Sequence, residues 1–342
     1  MISFKNDYSE GACPEIMQAM MKTNRLQSDG YGLDPFCEGA KERIRQKVGN
    51  ADCDVHFLVG GTQANLTIIA SALRPYEAVI AAESGHINVH ETGAIEGTGH
   101  KVIVADSAQG KVTLEGIRKV VTAHTDEHMV KPAMVYISNA TEIGTVYTKA
   151  ELSSIRRICD EYGLYLFMDG ARLGSALMAS DNDLKLSDIA ELCDIFYIGG
   201  TKNGALFGEA VVIVNERLKK DFRYMIKHHG GMLAKGRLLG IQFYELMNGT
   251  VFFDLAKHAN AMAQKLQDAF LQLNCPLFVK TTTNQIFPIF DDEILAEMDK
   301  RYACTIWEKV SDHTTAVRIV TSWATKEEDV DRYIDDLRRI MK

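Results

Sequence analysis

Three short polar segments each follow an apolar run, and their residue types could do chemistry together: Gly60-Gly61-Thr62-Gln63, Asp169-Gly170-Ala171-Arg172 and Gly200-Thr201-Lys202. Ligands of parallel sheets sit beyond the carboxyl ends of the strands, so residues that directly follow strands can converge on one crevice. Gly60-Gly61-Thr62 precedes a helical pattern from Gln63 to Leu73. Glycines allow close backbone approach, and the free N–H groups of a helix start favour an anion such as a phosphate. Taken alone, the segment reads equally well as an ordinary βα turn. Asp169 suits a helix cap, a metal or a protonated ring nitrogen, and Arg172 offers a planar cation for a phenolate or carboxylate. Lys202, flanked by small residues after a buried run, is placed where desolvation lowers an amine's pKa and makes it nucleophilic. A lone lysine there would read as a solvated loop charge; three such segments at one sheet edge shift the reading toward chemistry.

Other patterns carry less. No Walker A loop and no G-x-G-x-x-G occurs, which counts against a nicotinamide dehydrogenase. His86 and His90, next to Glu91, and His124 and His128 have helical metal spacing, but each pair lacks a third ligand, so no metal site is expected. Glu142 falls near the same sheet edge without an assigned role. His228-His229 reads as a helix C-terminal feature, and Met17, Met20 and Met21 as core or interface packing.

The elements that must position these residues alternate. Apolar runs at 55–59, 78–82, 101–105, 133–138, 165–169, 195–199 and 210–214 are separated by helical patterns, which predicts an α/β domain with a mostly parallel sheet covered on both faces. Asp34-Pro35 opens one helix, with Gly49 able to close it. Thr148 with Glu151, and Thr325 with Glu328, read as capping boxes. Helical stretches over 236–273, then strands at 285–290 and 316–321, predict a smaller α+β unit. The chain is accordingly divided into an arm (1–15), a large domain (16–249) and a small C-terminal domain (250–342).

The 342 residues are 46% hydrophobic and 25% charged with a net charge of −8, a globular composition that argues against nucleic acid or an anionic membrane as partner. Seven irregularly spaced cysteines, with no C-x-x-C, and no apolar run long enough to span a bilayer suggest a cytoplasmic protein.

A phosphate cradle, a carboxylate for a protonated ring nitrogen and a lysine for an imine are the parts that pyridoxal phosphate requires. With the stretches GGTQAN (60–65), ESGHINVHETGA (83–94), DGARL (169–173), GGTKNGALFG (199–208) and VRIVTSW (317–323), the chain resembles the threonine aldolase and β-eliminating lyase family, of aspartate aminotransferase-like fold. FKNDYSEG (4–11) and DGYGLDP (29–35) fit as well. The resemblance implies that Lys202 carries the imine and Asp169 pairs with the pyridine nitrogen. Gly61, Thr62 and Gln63, with Thr201, would hold the phosphate. His86 would stack on the ring and could also act as acid or base, a role open equally to an ordered water held near Asn139 and Glu142. Arg172 and Arg318 would meet the substrate carboxylate, with Asn6 near it.

The reaction implied is cleavage of a β-hydroxy-α-amino acid to glycine and an aldehyde, in a homodimer or homotetramer. β-Elimination or transamination would start from the same imine, and a scaffold that keeps the fold without catalysis is the contrasting reading. Two departures stand out. The family's second histidine, in a T-H-N segment, is absent from Ser138-Asn139-Ala140-Thr141-Glu142. The arginine of its G-G-G-M-R-Q segment is Leu233 here, with Lys235 or Arg237 as replacements.

Overall fold

The structure, a computed structural model, describes residues 1–341. Seven strands form the larger sheet: β1 (Asp54–Leu58), β2 (Glu77–Ala82), β3 (Val102–Ala105), β4 (Lys131–Ser138), β5 (Tyr165–Asp169), β6 (Ile195–Gly199) and β7 (Glu209–Ile213). Their order is β1-β7-β6-β5-β4-β2-β3, and only β7 runs antiparallel to its neighbours. Each expected strand is present, with ends displaced by two residues or fewer.

The central strands are buried on both faces, which is why they are mostly apolar. Val135, Ile137, Leu166, Met168, Phe196 and Ile198 face one core, with the helices Pro35–Val48, Lys149–Tyr162 and Leu186–Leu192. The alternate residues Met134, Tyr136, Phe167, Ile195, Tyr197 and Val211 face another, under the helix Gly61–Ala72. Local chemistry sets the helix ends as the sequence predicts. Asp34 Oδ1 accepts from the Cys37 N–H, and Gly49 closes that helix at φ 67°, a left-handed value that favours glycine. Thr148 and Glu151 form the reciprocal capping box.

The second expected box does not form. The C-terminal helix starts at Glu327 behind Lys326, because the Thr325 hydroxyl instead accepts the N–H of Ser322 and folds the preceding turn.

A four-stranded antiparallel sheet makes the smaller unit: β8 (Leu277–Val279), β9 (Gln285–Asp291), β10 (Thr305–Lys309) and β11 (Thr314–Val320), in the order β8-β9-β11-β10. The long helix Val251–Gln272 reaches both units: Phe252 packs in the large core, and Met262, Leu266 and Phe270 in the small one. The first residues of the chain join the small unit. Ile2 and Ser3 pair with Tyr302 and Ala303, and Phe4 is buried in its core. This leads the chain past the ends of β4–β6, where the polar segments gather.

Candidate active site

A cavity of about 340 Å³ opens beyond the carboxyl ends of the large sheet. Its lining includes Gly60, Gly61, Thr62, His86, Asp169, Arg172, Thr201 and Lys202, so the three polar segments do converge. Tyr8, Ser138, Glu142, Tyr197 and Glu209 line it as well.

Asp169 ends β5, and Gly170 follows because nothing larger fits: a Cβ there would lie 1.8 Å from the Tyr197 carbonyl oxygen. The Asp169 carboxylate is buried and well supplied with donors. Its Oδ2 accepts from the Tyr136 hydroxyl (2.6 Å) and Asn65 Nδ2 (3.1 Å), and its Oδ1 from the Ala171 N–H (2.9 Å). Burial alone would raise this carboxyl; the nearby His86 and these hydrogen bonds outweigh it and hold the carboxyl below its ordinary value. The group is therefore an anion at neutral pH, as a partner for a protonated ring nitrogen must be.

Lys202 lies in the tight turn between β6 and β7, where the N–H groups of Gly200 and Thr201 both donate to the Gly208 carbonyl. Its amine makes no ion pair among the described residues. Burial and the neighbouring Arg172 lower its pKa, against the opposing pull of Asp7, Asp169 and Glu209. The Thr201 hydroxyl accepts from the Gly208 N–H (2.9 Å) and donates to Glu209 Oε1 (2.9 Å). Burial pushes the Glu209 carboxyl well up, and its Oε2 is buried without a partner.

The helix Gly61–Ala72 begins behind Gly60 with no side chain capping its first N–H groups, so those of Gly61 and Thr62 stay free for an anion at the cavity edge. Gln63 is turned the other way: its Oε1 accepts the Val59 N–H (3.3 Å) and its Nε2 donates to the His229 carbonyl (3.3 Å). Asn6 likewise serves its own segment, its Oδ1 accepting from the Tyr8 N–H and the Ser9 hydroxyl. Neither side chain lines the cavity. Arg318, on β11, has its guanidinium 5.9 Å from the Trp307 ring centroid, a buried Nε without a partner, and no acidic partner among the described residues. Of the two expected replacements for the missing arginine, Arg237 is committed to the carbonyls of Leu26 and Asn24, while Lys235 is exposed.

The family model of beta-eliminating lyases matches residues 4–293. The chain belongs to the beta-eliminating lyase family. This lyase is 33% identical to the low specificity L-threonine aldolase of Pseudomonas sp. (strain NCIMB 10558), over 99% of this chain and 97% of that one. The low specificity L-threonine aldolase of Escherichia coli (strain K12) is 26% identical over 87% of each chain. Among solved structures, a Leishmania major threonine aldolase superposes at a TM-score of 0.99, with 47% identity and full coverage of both chains. An aspartate aminotransferase of Thermus thermophilus shares the fold at a TM-score of 0.73, with 14% identity and 99% and 91% coverage. The family and the aspartate aminotransferase-like fold expected from the sequence are thus those of the lyase.

The site also contains residues that no local sequence pattern marks. Glu91, whose place beside His86 and His90 suggests only a metal ligand, is buried 2.7 Å from His86 Nδ1. Asn65 joins Glu91 to Asp169, Tyr136 donates to Asp169, and Asp7 holds Arg172. Glu142 gains a place: its Oε1 accepts from the Ser138 hydroxyl (2.6 Å) and the His86 N–H (3.0 Å), and burial raises its carboxyl.

Proposed function

We propose that this lyase uses pyridoxal phosphate to cleave β-hydroxy-α-amino acids of the threonine type into glycine and an aldehyde. The observation that carries the reading is the meeting in one cavity of an amine without an acidic partner, a buried anionic carboxylate and an uncapped helix start. The residues fit the cofactor: Asp169 is ionised and fixed, Lys202 makes no ion pair among the described residues, and Glu209 Oε2 is buried at the cavity wall without a partner.

Lys202 would hold the cofactor through its amine, Asp169 would accept the hydrogen of the ring nitrogen, and the N–H groups of Gly61, Thr62 and Gln63, with Thr201, would meet the phosphate. Bound there, the cofactor supplies an electron sink for the pair released when a bond to the α-carbon breaks. Arg318, which makes no ion pair among the described residues and feels the charges of Arg172 and Asp7, is suited to the substrate carboxylate. His86 covers the cavity from the side of β2 and takes the proton of the β-hydroxyl as the aldehyde carbonyl forms. A histidine near neutrality accepts and returns protons readily.

Purified protein given L-threonine or L-allo-threonine should release glycine and acetaldehyde in equal amounts. Release of ammonia from serine-like substrates without aldehyde from either threonine isomer would overturn the assignment. Borohydride reduction followed by peptide mapping should mark Lys202, and a label elsewhere would overturn its role.

We propose further that the lyase is a homodimer or homotetramer located in the cytoplasm, with domain limits near residues 15 and 249. Met17, Met21, Leu26, Tyr31 and Leu33, on the N-terminal helix and the segment after it, are large apolar side chains left exposed on the single chain, which supports an assembly. All seven cysteines are free thiols, and among the described residues no helix is long and apolar enough to cross a membrane.

A further inference from the structure

Behind His86 lies a set of buried polar groups that the family match does not explain. The Asn65 side chain is fully buried, and its Nδ2 stands 2.6 Å from Glu91 Oε1 and 3.1 Å from Asp169 Oδ2. Both neighbours are carboxylate oxygens. The opposite amide orientation would set Oδ1 against two acceptors, so the NH₂ group must face them, one hydrogen to each. Glu91 Oε1 is therefore already an acceptor when His86 Nδ1 approaches it at 2.7 Å. A proton on Glu91 could not serve this contact. On Oε1 it would crowd the amide hydrogen, and on Oε2 it would meet nothing, because that atom is buried without a partner. The hydrogen between them belongs to His86 Nδ1.

The rest of the histidine is fixed as well. Its backbone N–H donates to Glu142 Oε1 at 3.0 Å, which holds the short turn His86–Val89 against the end of β4. Its Nε2 has no protein partner among the described residues, while the ring lines the cavity.

We propose that Glu91 and Asn65 are positioning residues. They hold His86 as its Nδ1–H tautomer, so that the bare Nε2 lone pair is left for the cavity, and they tie that histidine to Asp169, the carboxylate that would pair with a ring nitrogen. The proposal rests on His86 being the proton acceptor named above. In the step it serves, the O–H bond of the β-hydroxyl breaks and an N–H bond forms at Nε2. The resulting imidazolium keeps its Nδ1–H on Glu91, whose negative charge then faces a positive ring. With the other tautomer, Nε2 would carry a hydrogen and could not accept. Orienting a histidine by a buried carboxylate is a device used widely in nucleophilic catalysis; here it serves a ring set beside a cofactor cavity.

Neutron diffraction from deuterated holoenzyme crystals reads the tautomer without turnover. Deuterium is expected on Nδ1 and absent from Nε2 of His86 in the absence of substrate. Glu91→Gln places an amide oxygen where Oε1 stands. It can still accept from both His86 and Asn65, so Nδ1 should stay deuterated and kcat for threonine should fall by no more than about tenfold. Glu91→Leu removes the acceptor; kcat should fall by roughly 10²-fold or more, with KM changed by less than about threefold. Deuterium on Nε2 alone in the wild type would overturn the proposal, as would a Glu91→Leu enzyme as active as Glu91→Gln. Should Glu91→Leu fail to fold, the wild-type and Glu91→Gln crystals still decide it. Full turnover in His86→Asn would overturn the base assignment itself, while the tautomer reading would stand or fall separately.

Discussion

Arg172 grips Asp7 with two parallel hydrogen bonds, Nε to Oδ2 at 2.7 Å and Nη2 to Oδ1 at 3.0 Å, across 165 positions of the chain. Asn284 of the small unit donates to the same Oδ2 at 2.9 Å. One buried carboxylate from the arm thus joins the large sheet's Asp-Gly-Ala-Arg segment to the small unit. The contact fixes the plane of the Arg172 guanidinium through Nε and Nη2 and leaves Nη1 outside the pair.

Removing Asp7 should therefore cost more than a surface pair would. Burial raises its carboxyl, but the charges of Arg172 and Lys202 and the hydrogen bonds from Arg172 and Asn284 outweigh this and hold it below its ordinary value. Breaking a buried pair by deleting one partner costs about 3–5 kcal/mol, a loss that chemical denaturation of Asp7→Ala at pH 7 should register. A depressed carboxyl contributes stability above its unfolded pKa of 3.8 and loses it as pH falls through the folded value. The gap between wild type and variant should accordingly close in acid, and a gap that widens below pH 4 would contradict this account.

Glu209 predicts the opposite slope. Burial pushes its carboxyl up to about 8, against the hydrogen bond from Thr201 and the charge of Lys202. A raised carboxyl contributes stability that is fully present below the unfolded value of 4.5 and is lost as pH rises through the folded one. Between pH 5 and 9 the apoenzyme should lose thermal stability relative to Glu209→Gln, which carries a neutral isostere that cannot ionise. Parallel melting curves for the two proteins would show that Glu209 is not held neutral.

What could be read beforehand follows physical range. The strands, the chain turns after them and the convergence of Gly61, Asp169 and Lys202 depend on local apolar runs and glycines, which a sequence displays directly. Period-two alternation even contains more: Tyr136, Ser138, Asp169, Tyr197 and Glu209 all lie on the face shared with Met134, Phe167 and Val211. To see that they meet requires the register between strands, such as Ser138 opposite Asp169 and Glu209 opposite Gly199, which no single run encodes. Asp7 with Arg172, and Asn65 with Asp169, are pairs made by tertiary packing across 165 and 104 positions. The Thr325 box failed for a related reason: the pattern was present, but a nearer donor, the Ser322 N–H, took the hydroxyl.

Asp169→Asn should bind the cofactor and lose most turnover. An amide oxygen can replace one acceptor for Tyr136 and Asn65, so the site should keep its shape. A neutral amide cannot hold a ring nitrogen protonated, and the electron sink weakens. Cofactor absorbance with turnover close to wild type would reduce Asp169 to a structural role.

The missing second histidine makes the division of proton work testable at His86 and Glu142. Both line the cavity, and burial raises the Glu142 carboxyl above its ordinary value. They differ in freedom. Glu142 Oε1 is engaged by the Ser138 hydroxyl and the His86 N–H, two contacts that orient the segment carrying His86. Glu142→Gln keeps an oxygen for both donors, so the fold of the site should persist while the exchangeable proton is lost. If His86 is the acceptor, His86→Asn should cut threonine cleavage by at least roughly 10²-fold, a loss of the size general-base catalysis supplies. Glu142→Gln should then cost clearly less. Asn139→Ala is a poor probe of the proton step, because Asn139 is fully buried with its Oδ1 accepting the Tyr147 N–H at 3.2 Å, and its removal should lower stability before it touches turnover. Steady-state kcat for the two cavity variants, measured beside their melting temperatures, separates the cases. Should Glu142→Gln lose more turnover than His86→Asn at unchanged stability, the proton acceptor is the glutamate, and His86 serves only to cover the ring.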